Sequence, residues 1–334
     1  MTPLTRRSLL KFAGAGATLA ALPRILSADT SSAPAPAAAP FRPAPNSGIH
    51  RFRLGDWEAT AFAAGIWDVP QPHPMFAPQA TPEQFRESLE GECLPADKIR
   101  LYFNILLLRT GRETLLIDSG FGPTGAAPFH LLDNLAAVGL TAADITGVFL
   151  THAHGDHMGG LLDASGKPVF TRAEHFCTAE ELAFWTSSKP DFSRSALDPK
   201  SRDGQIAGAR RTFDSLRFTT LKADTRLPEG VQTILAPGHT PGHMTLRFES
   251  KGEMLYHMAD IAHHFALMLP HPDWTVAFDN NPDQAAATRK SILARLAGEK
   301  IKVFGYHMPF PGLGRIQAAG AGYRWVPRTW DPAL

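Results

Sequence analysis

The chain has 334 residues, with 33 Lys and Arg against 32 Asp and Glu, and its net charge of +1 lacks the basic footprint that nucleic-acid binding requires. At 44% hydrophobic and 19% charged residues it has the make-up of a globular protein long enough for one large core. Two cysteines, Cys93 and Cys177, exclude a disulfide framework and a cysteine-based zinc site; whether they pair is left open. Residues 1–28 predict a twin-arginine export signal, because Arg6-Arg7 precede an apolar run at 12–22 that is shorter than the ~20 residues of a membrane span. The expected partner is therefore the twin-arginine export machinery, the expected location periplasmic or secreted, and no stable membrane insertion is expected. Residues 29–48 hold five prolines and six alanines and predict an extended linker, so the folded domain is expected over 49–334.

Within that domain, 51–62 reads as one or two strands, and 102–109 and 113–117 as a hairpin about Thr110-Gly111-Arg112. Residues 129–138 read as a helix, 147–150 as a short buried strand and 173–186 as a helix. Strands follow at 216–221, 232–235, 244–248 and 254–257, then an amphipathic helix at 282–296 and a last buried strand at 301–304. Strands mixed with helices at this length predict an α/β domain.

The chemistry is concentrated just after the strand at 147–150. His152, His154, Asp156 and His157 fall within six residues, where a strand end lets side chains converge on one point. Imidazole suits zinc and neighbouring metals, and a carboxylate adds charge. Three other strands each deliver a further ligand type just past their ends: His239 in Pro237-Gly238-His239-Thr240-Pro241-Gly242-His243, then Asp260, then His307.

His152-x-His154-x-Asp156-His157 with His239, Asp260 and His307 resembles the metallo-β-lactamase superfamily. The turn Asp118-Ser119-Gly120 fits that resemblance. Phe184-Trp185 and the closing segments at 309–314 and 322–327 are similar to the methyl parathion hydrolase-like branch. The resemblance implies an αβ/βα four-layer sandwich with two divalent metal ions, zinc above all, at one sheet edge. His152, His154 and His239 would hold one ion. Asp156, His157 and His307 would hold the other. Asp260 would bridge them beside a bridging hydroxide that attacks the substrate, and Asp156 would accept a proton as the intermediate collapses. Asp118 would orient a ligand, and Phe121 and Trp185 would line a substrate pocket.

These features imply a hydrolase of a hydrophobic small molecule, either an ester, a lactone or a phosphotriester. A β-lactamase, a thioester hydrolase, an iron-dependent redox relative and a non-catalytic metal protein are the alternatives, and a homodimer is left open. Residue chemistry gives His243 a structural hydrogen-bonding role, since a Pro-Gly turn separates it from helical geometry. His263 and His264, three and four residues after Asp260, are candidates for lining the pocket or donating a proton to a leaving group.

Overall fold

The run of bulky apolar residues at 105–108 shows how the chain is layered. In the computed structural model it lies in the middle of a strand buried on both faces: Ile105 and Leu107 pack outward beneath helices, while Leu106 and Leu108 face a second sheet. The structure describes residues 48–123, 130–222, 224–227 and 230–329, so the expected export signal, all of the expected linker but Gly48, and Phe129 lie outside the described residues.

Two seven-stranded sheets are each laid down in chain order. The first begins with the antiparallel pair β1 (Ile49–Leu54) and β2 (Trp57–Pro70). Helix α1 (Pro82–Glu90) follows, capped by Thr81 and Gln84 in a reciprocal box. Next come β3 (Lys98–Arg109) and β4 (Thr114–Ile117), the expected hairpin. From β4 the sheet turns parallel, through α2 (Leu131–Ala137), β5 (Gly147–Phe149), α3 (Gly155–Met158), β6 (Glu174–Thr178), α4 (Ala179–Thr186), α5 (Pro199–Ser215) and β7 (Phe218–Leu221).

The second sheet holds β8 (Arg226–Leu227), β9 (Val231–Leu235), β10 (Met244–Ser250) and β11 (Glu253–His257). After α6 (Phe265–Met268) and α7 (Pro282–Glu299) it is completed by β12 (Lys302–Phe304), β13 (Leu313–Ala319) and β14 (Gly322–Pro327).

Between the sheets lies one apolar layer, with Phe52, Leu54, Leu106, Ile117 and Phe149 meeting Met244, Leu246, Phe248, Leu255 and Phe304. The outer face of the first sheet is covered by α2, α4 and α5 through Leu131, Leu135, Trp185, Ala209 and Phe213. The outer face of the second is covered by α1, α6 and α7 through Phe85, Leu89, Leu267, Leu293 and Leu296. This is the αβ/βα sandwich. Among the described residues no helix is long and apolar enough to cross a membrane.

The expected helix at 173–186 is corrected. Its first half is β6, in parallel register between β5 and β7, and only its second half is helical. The aromatic and β-branched residues Phe176 and Thr178 suit a strand with partners on both sides, and tertiary pairing decides the outcome. Helices α1 and α5 and the hairpin β13–β14 have no counterpart in the elements read from sequence. The 17-residue α5 carries Gly204 and Gly208, which weaken its helical signal, although Asp198 at its N-cap and Pro199 at its first position mark its start.

Candidate metal centre

Four strand ends meet at one edge of the sandwich. β5 leads into Thr151–His154 and α3, the β9–β10 turn carries His239, the turn after β11 carries Asp260, and the loop after β12 carries His307. The side chains converge. Ligand atoms of His152, His154 and His239 lie within 4.8 Å of one another, and so do those of Asp156, His157, Asp260 and His307.

Asp260 stands between the groups. Its Oδ2 is 3.3 Å from His239 Nε2, 3.6 Å from His152 Nε2 and 3.2 Å from His307 Nε2, and its Oδ1 is 3.2 Å from His157 Nε2. Asp156 Oδ2 lies 3.4 Å from His157 Nε2 and 3.5 Å from His307 Nε2. All seven residues named from sequence are therefore together.

Three imidazoles are oriented from behind. His157 Nδ1 donates to Asp118 Oδ2 at 2.8 Å, His239 Nδ1 to Asp279 Oδ1 at 2.7 Å, and His307 Nδ1 to the Tyr102 carbonyl at 2.9 Å. Each Nε2 is thereby turned to the centre, where a cation could take its lone pair. Asp118 also accepts Thr151 N–H and Thr151 Oγ1–H, each at 2.8 Å, so one carboxylate fixes both the start of the ligand loop and His157.

The Tyr306 hydroxyl donates to the Asp156 carbonyl, and its ring stacks on His157 at 4.0 Å. His243 is structural in geometry: Nδ1 donates to the Ala236 carbonyl at 2.9 Å and Nε2 accepts Asp260 N–H at 3.1 Å, which shapes the turn that presents Asp260.

The protein groups alone favour a cation here. His157 Nε2, His239 Nε2 and Asp260 Oδ1 are buried without a hydrogen-bond partner, an expensive state for polar atoms unless a cation takes their lone pairs. Burial pushes both carboxyls up, but the surrounding imidazoles outweigh it. Asp156 falls to about 2, and Asp260 lies well below the carboxylate range. Burial and neighbouring imidazoles hold His152 and His154 well below the ordinary histidine value. Burial opposes protonation of His239, but the carboxylate of Asp260 beside Nε2 and that of Asp279 hydrogen-bonded to Nδ1 bring it up to about 9. Burial likewise opposes His157, which Asp260, Asp156 and Asp118 hold well above the usual value. The donor set of imidazoles and carboxylates fits borderline divalent ions such as zinc.

The donors floor a cavity of about 710 Å3. Its walls include Trp67, Met75, Leu101, Phe103, Phe121 and Phe278, and its floor includes His154, Asp156, Asp260, His263 and His307. Phe121 packs edge-on against Phe103, with ring centroids 4.9 Å apart.

Trp185 corrects the sequence reading: it is fully buried in the layer beneath α4 and α5, its Nε1 donates to Glu181 Oε1 at 2.7 Å, and it does not line the cavity. The helix bearing it turns that face to the core. Of the two spare histidines, His263 lines the cavity, with Nε2 3.1 Å from Asp260 Oδ2, and can join a third donor group with His239 and Asp260. His264 stacks on Phe265 and faces a separate small cavity beside Lys98 and Tyr102.

Asp279, Glu181 and Tyr306 were missed in the sequence. Asp279 had no spacing signal. Tyr306 adjoins His307, and Glu181 is the fourth residue of Thr178-x-x-Glu181, which reads as an ordinary helix cap. Cys93 is exposed and Cys177 is buried, both as free thiols, and burial pushes the Cys177 thiol up to about 12.

Residues 101–305 match the metallo-beta-lactamase superfamily. The chain belongs to this superfamily. His307, the last donor, lies two residues beyond the match. Among solved metallo-β-lactamase folds, the chain resembles AidC, a dizinc quorum-quenching lactonase in complex with a product, N-hexanoyl-L-homoserine. They are 32% identical with a TM-score of 0.79, over 85% of this chain and 98% of that one. It also resembles the hydrolase AbOPH at 25% identity and a TM-score of 0.77, over 86% of this chain and all of that one. Among curated proteins, an atrochrysone carboxyl ACP thioesterase from Passalora fulva is 31% identical over 150 residues, 45% of this chain and 34% of that protein. An N-acyl homoserine lactonase from Bacillus cereus is 20% identical over 186 residues, 50% of this chain and 66% of that protein. The chain thus spans between a third and two thirds of the length of these two curated relatives.

Proposed function

We propose that this protein is a two-metal hydrolase of neutral, hydrophobic carboxylic or phosphoric esters, with lactones foremost. The observation that carries the reading is the doubled donor cluster on the floor of an apolar cavity. His152, His154 and His239 would hold one cation, Asp156, His157 and His307 the other, and Asp260 faces both. Bound zinc ions would supply an activated water at neutral pH and polarise the oxygen that gains charge.

The remaining work falls to the chain. The aromatic and aliphatic walls hold an acyl or aryl group and keep bulk water from the reacting bond. Asp156, whose side chain retains 18% exposure among otherwise buried donors, is placed to take up a proton at its carboxylate. His263, with neither ring nitrogen hydrogen-bonded, is placed to contact the substrate oxygen or return a proton to the leaving group. Among the described residues the cavity lining holds no Lys or Arg, so a polyanionic substrate would lack side-chain countercharge there. The lactonase relatives support the lactone reading, and the thioesterase relative adds thioesters to the panel to be assayed. We place the enzyme in the periplasm or outside the cell, on the strength of Arg6-Arg7 and the short apolar run after them.

The test is metal analysis of protein purified without chelators, then assay against acyl-homoserine lactones, aryl esters, phosphotriesters, thioesters and β-lactams. About two metals per chain and highest kcat/KM on an apolar lactone or ester are expected. Full activity with one tightly held metal, or a preference for β-lactams, refutes the reading.

A further inference from the structure

Glu181 is fully buried and belongs to neither donor group, yet it accepts four hydrogen bonds. Its Oε1 accepts Ala153 N–H at 2.8 Å and Trp185 Nε1–H at 2.7 Å. Its Oε2 accepts Thr240 Oγ1–H at 2.6 Å and Gly242 N–H at 3.1 Å. Ala153 lies between His152 and His154, and Thr240 follows His239. One carboxylate therefore grips both loops that carry the first donor group.

The start of α4 is built for this grip. Thr178 caps the helix by accepting Glu181 N–H at 3.2 Å, as a Thr-x-x-Glu box requires. In that box the Glu side chain normally returns to the cap residue's own N–H. Here it turns away to the ligand loops, and Thr178 Oγ1–H donates instead to the Gly242 carbonyl at 2.6 Å. The loop presses so closely that a Cβ on Gly242 would stand 2.1 Å from Glu181 N.

The second donor group is braced without it. Asp118 holds His157, the Tyr102 carbonyl holds His307, and Tyr306 holds the Asp156 backbone.

We infer that Glu181 is a positioning residue for one of the two cations, fixing His152 and His154 relative to His239 while leaving the Asp156–His157–His307 group to its own supports. The inference rests on the two-metal reading above. It adds a division of labour: Glu181 braces the two loops of the first donor group, whose His239 is also oriented by Asp279, and Asp118 orients His157 of the second.

The experiment titrates the stripped full-length protein with Co2+ and Zn2+ against a competing chelator, following the Co2+ absorption bands and the melting temperature. Wild type should bind two cations. Glu181→Gln keeps the size of the side chain but sets an amide NH2 against one pair of donors. It should weaken one site by about 10–100-fold while the other stays within about twofold. The surviving Co2+ spectrum should match that of His154→Ala. Glu181→Asp, which keeps the charge but not the reach, should fall between wild type and Glu181→Gln.

Trp185→Phe removes the one bond that touches neither loop and should leave both affinities in place. Should Glu181→Gln fail to fold, Thr240→Val, which deletes a single bond from the loop side, should still weaken the same site by several-fold. A folded Glu181→Gln or Thr240→Val with both affinities unchanged, or both reduced alike, overturns the inference alone. Wild-type protein that binds fewer than two cations overturns the functional reading and the inference with it.

Discussion

Replacing Trp185 by Ala removes the largest fully buried side chain of the layer beneath α4 and α5. Its indole packs against Phe184 and Phe192 at centroid distances of 5.0 and 5.8 Å and reaches His154 at 6.0 Å. Truncating a buried Trp costs about 3–5 kcal/mol. The bond from Nε1 to Glu181 adds about 1 kcal/mol, since three other donors still satisfy that carboxylate. At roughly 2–4 °C per kcal/mol for a domain of this size class, the melting temperature should fall by about 10–20 °C. Calorimetry of the metal-loaded variant measures that fall. Paired kcat/KM values on a long-chain ester and a simple acetate ester, taken well below the transition, should show one common factor. An unchanged melting temperature with selective loss on the long-chain ester would refute the core assignment and return Trp185 to the cavity wall.

Phe121→Ala opens the cavity wall, so kcat/KM on bulky apolar substrates should drop by about tenfold, the worth of ~1–2 kcal/mol of lost aromatic contact, while acetate esters change little. Equal loss on both would make Phe121 a packing residue. Asp118→Asn should weaken cation binding at the His157 site by about 10–100-fold in chelator competition, and unchanged affinity would show that Asp118 only shapes its turn. His263→Ala should slow substrates with poor leaving groups more than aryl esters, and His264→Ala should show no such difference; a uniform loss in His263→Ala would point to altered packing.

Chelator-stripped protein should lose stability at both ends of the pH range. Asp156, lowered from 3.8 to about 2, stabilises fully above the unfolded value and ceases to do so as pH falls through 2. His239, raised from 6.5 to about 9, stabilises fully below 6.5 and ceases to do so as pH rises through 9. Melting curves across pH should show both limbs, and an alkaline limb that persists unchanged in His239→Gln would remove His239 as its source.

What could be read from sequence was what a short local signal carries. His152, His154, Asp156 and His157 sit within one loop, and His239, Asp260 and His307 each follow an apolar strand, so residue type and strand ends together located them. Asp118 was legible through its turn. Asp279 and Glu181 were not, because what makes them matter is a partner 40 residues away for one and loops 28 and 59 residues away for the other. Trp185 was misplaced for a related reason: helical spacing says which residues share a face, and tertiary packing says whether that face meets a cavity or a core. Residues 173–178 read as helix until the neighbouring strands claimed them, since pairing on both sides outweighs local preference.

Each sheet is drawn from one contiguous stretch of chain, the first ending at Leu221 and the second beginning at Arg226. The early stretch supplies His152, His154, Asp156 and His157, and the late one His239, Asp260 and His307. Neither donor group lies within one stretch: the first lacks His239, and the second lacks Asp260 and His307, until both are made. During synthesis the first sheet can pair its strands while the centre is still open; the first donor group waits for His239 and the second for His307, and neither is assembled until the second sheet has docked. Cation uptake thus reports closure of the seam between the two halves, and a bound ion, by holding residues from both, opposes their separation.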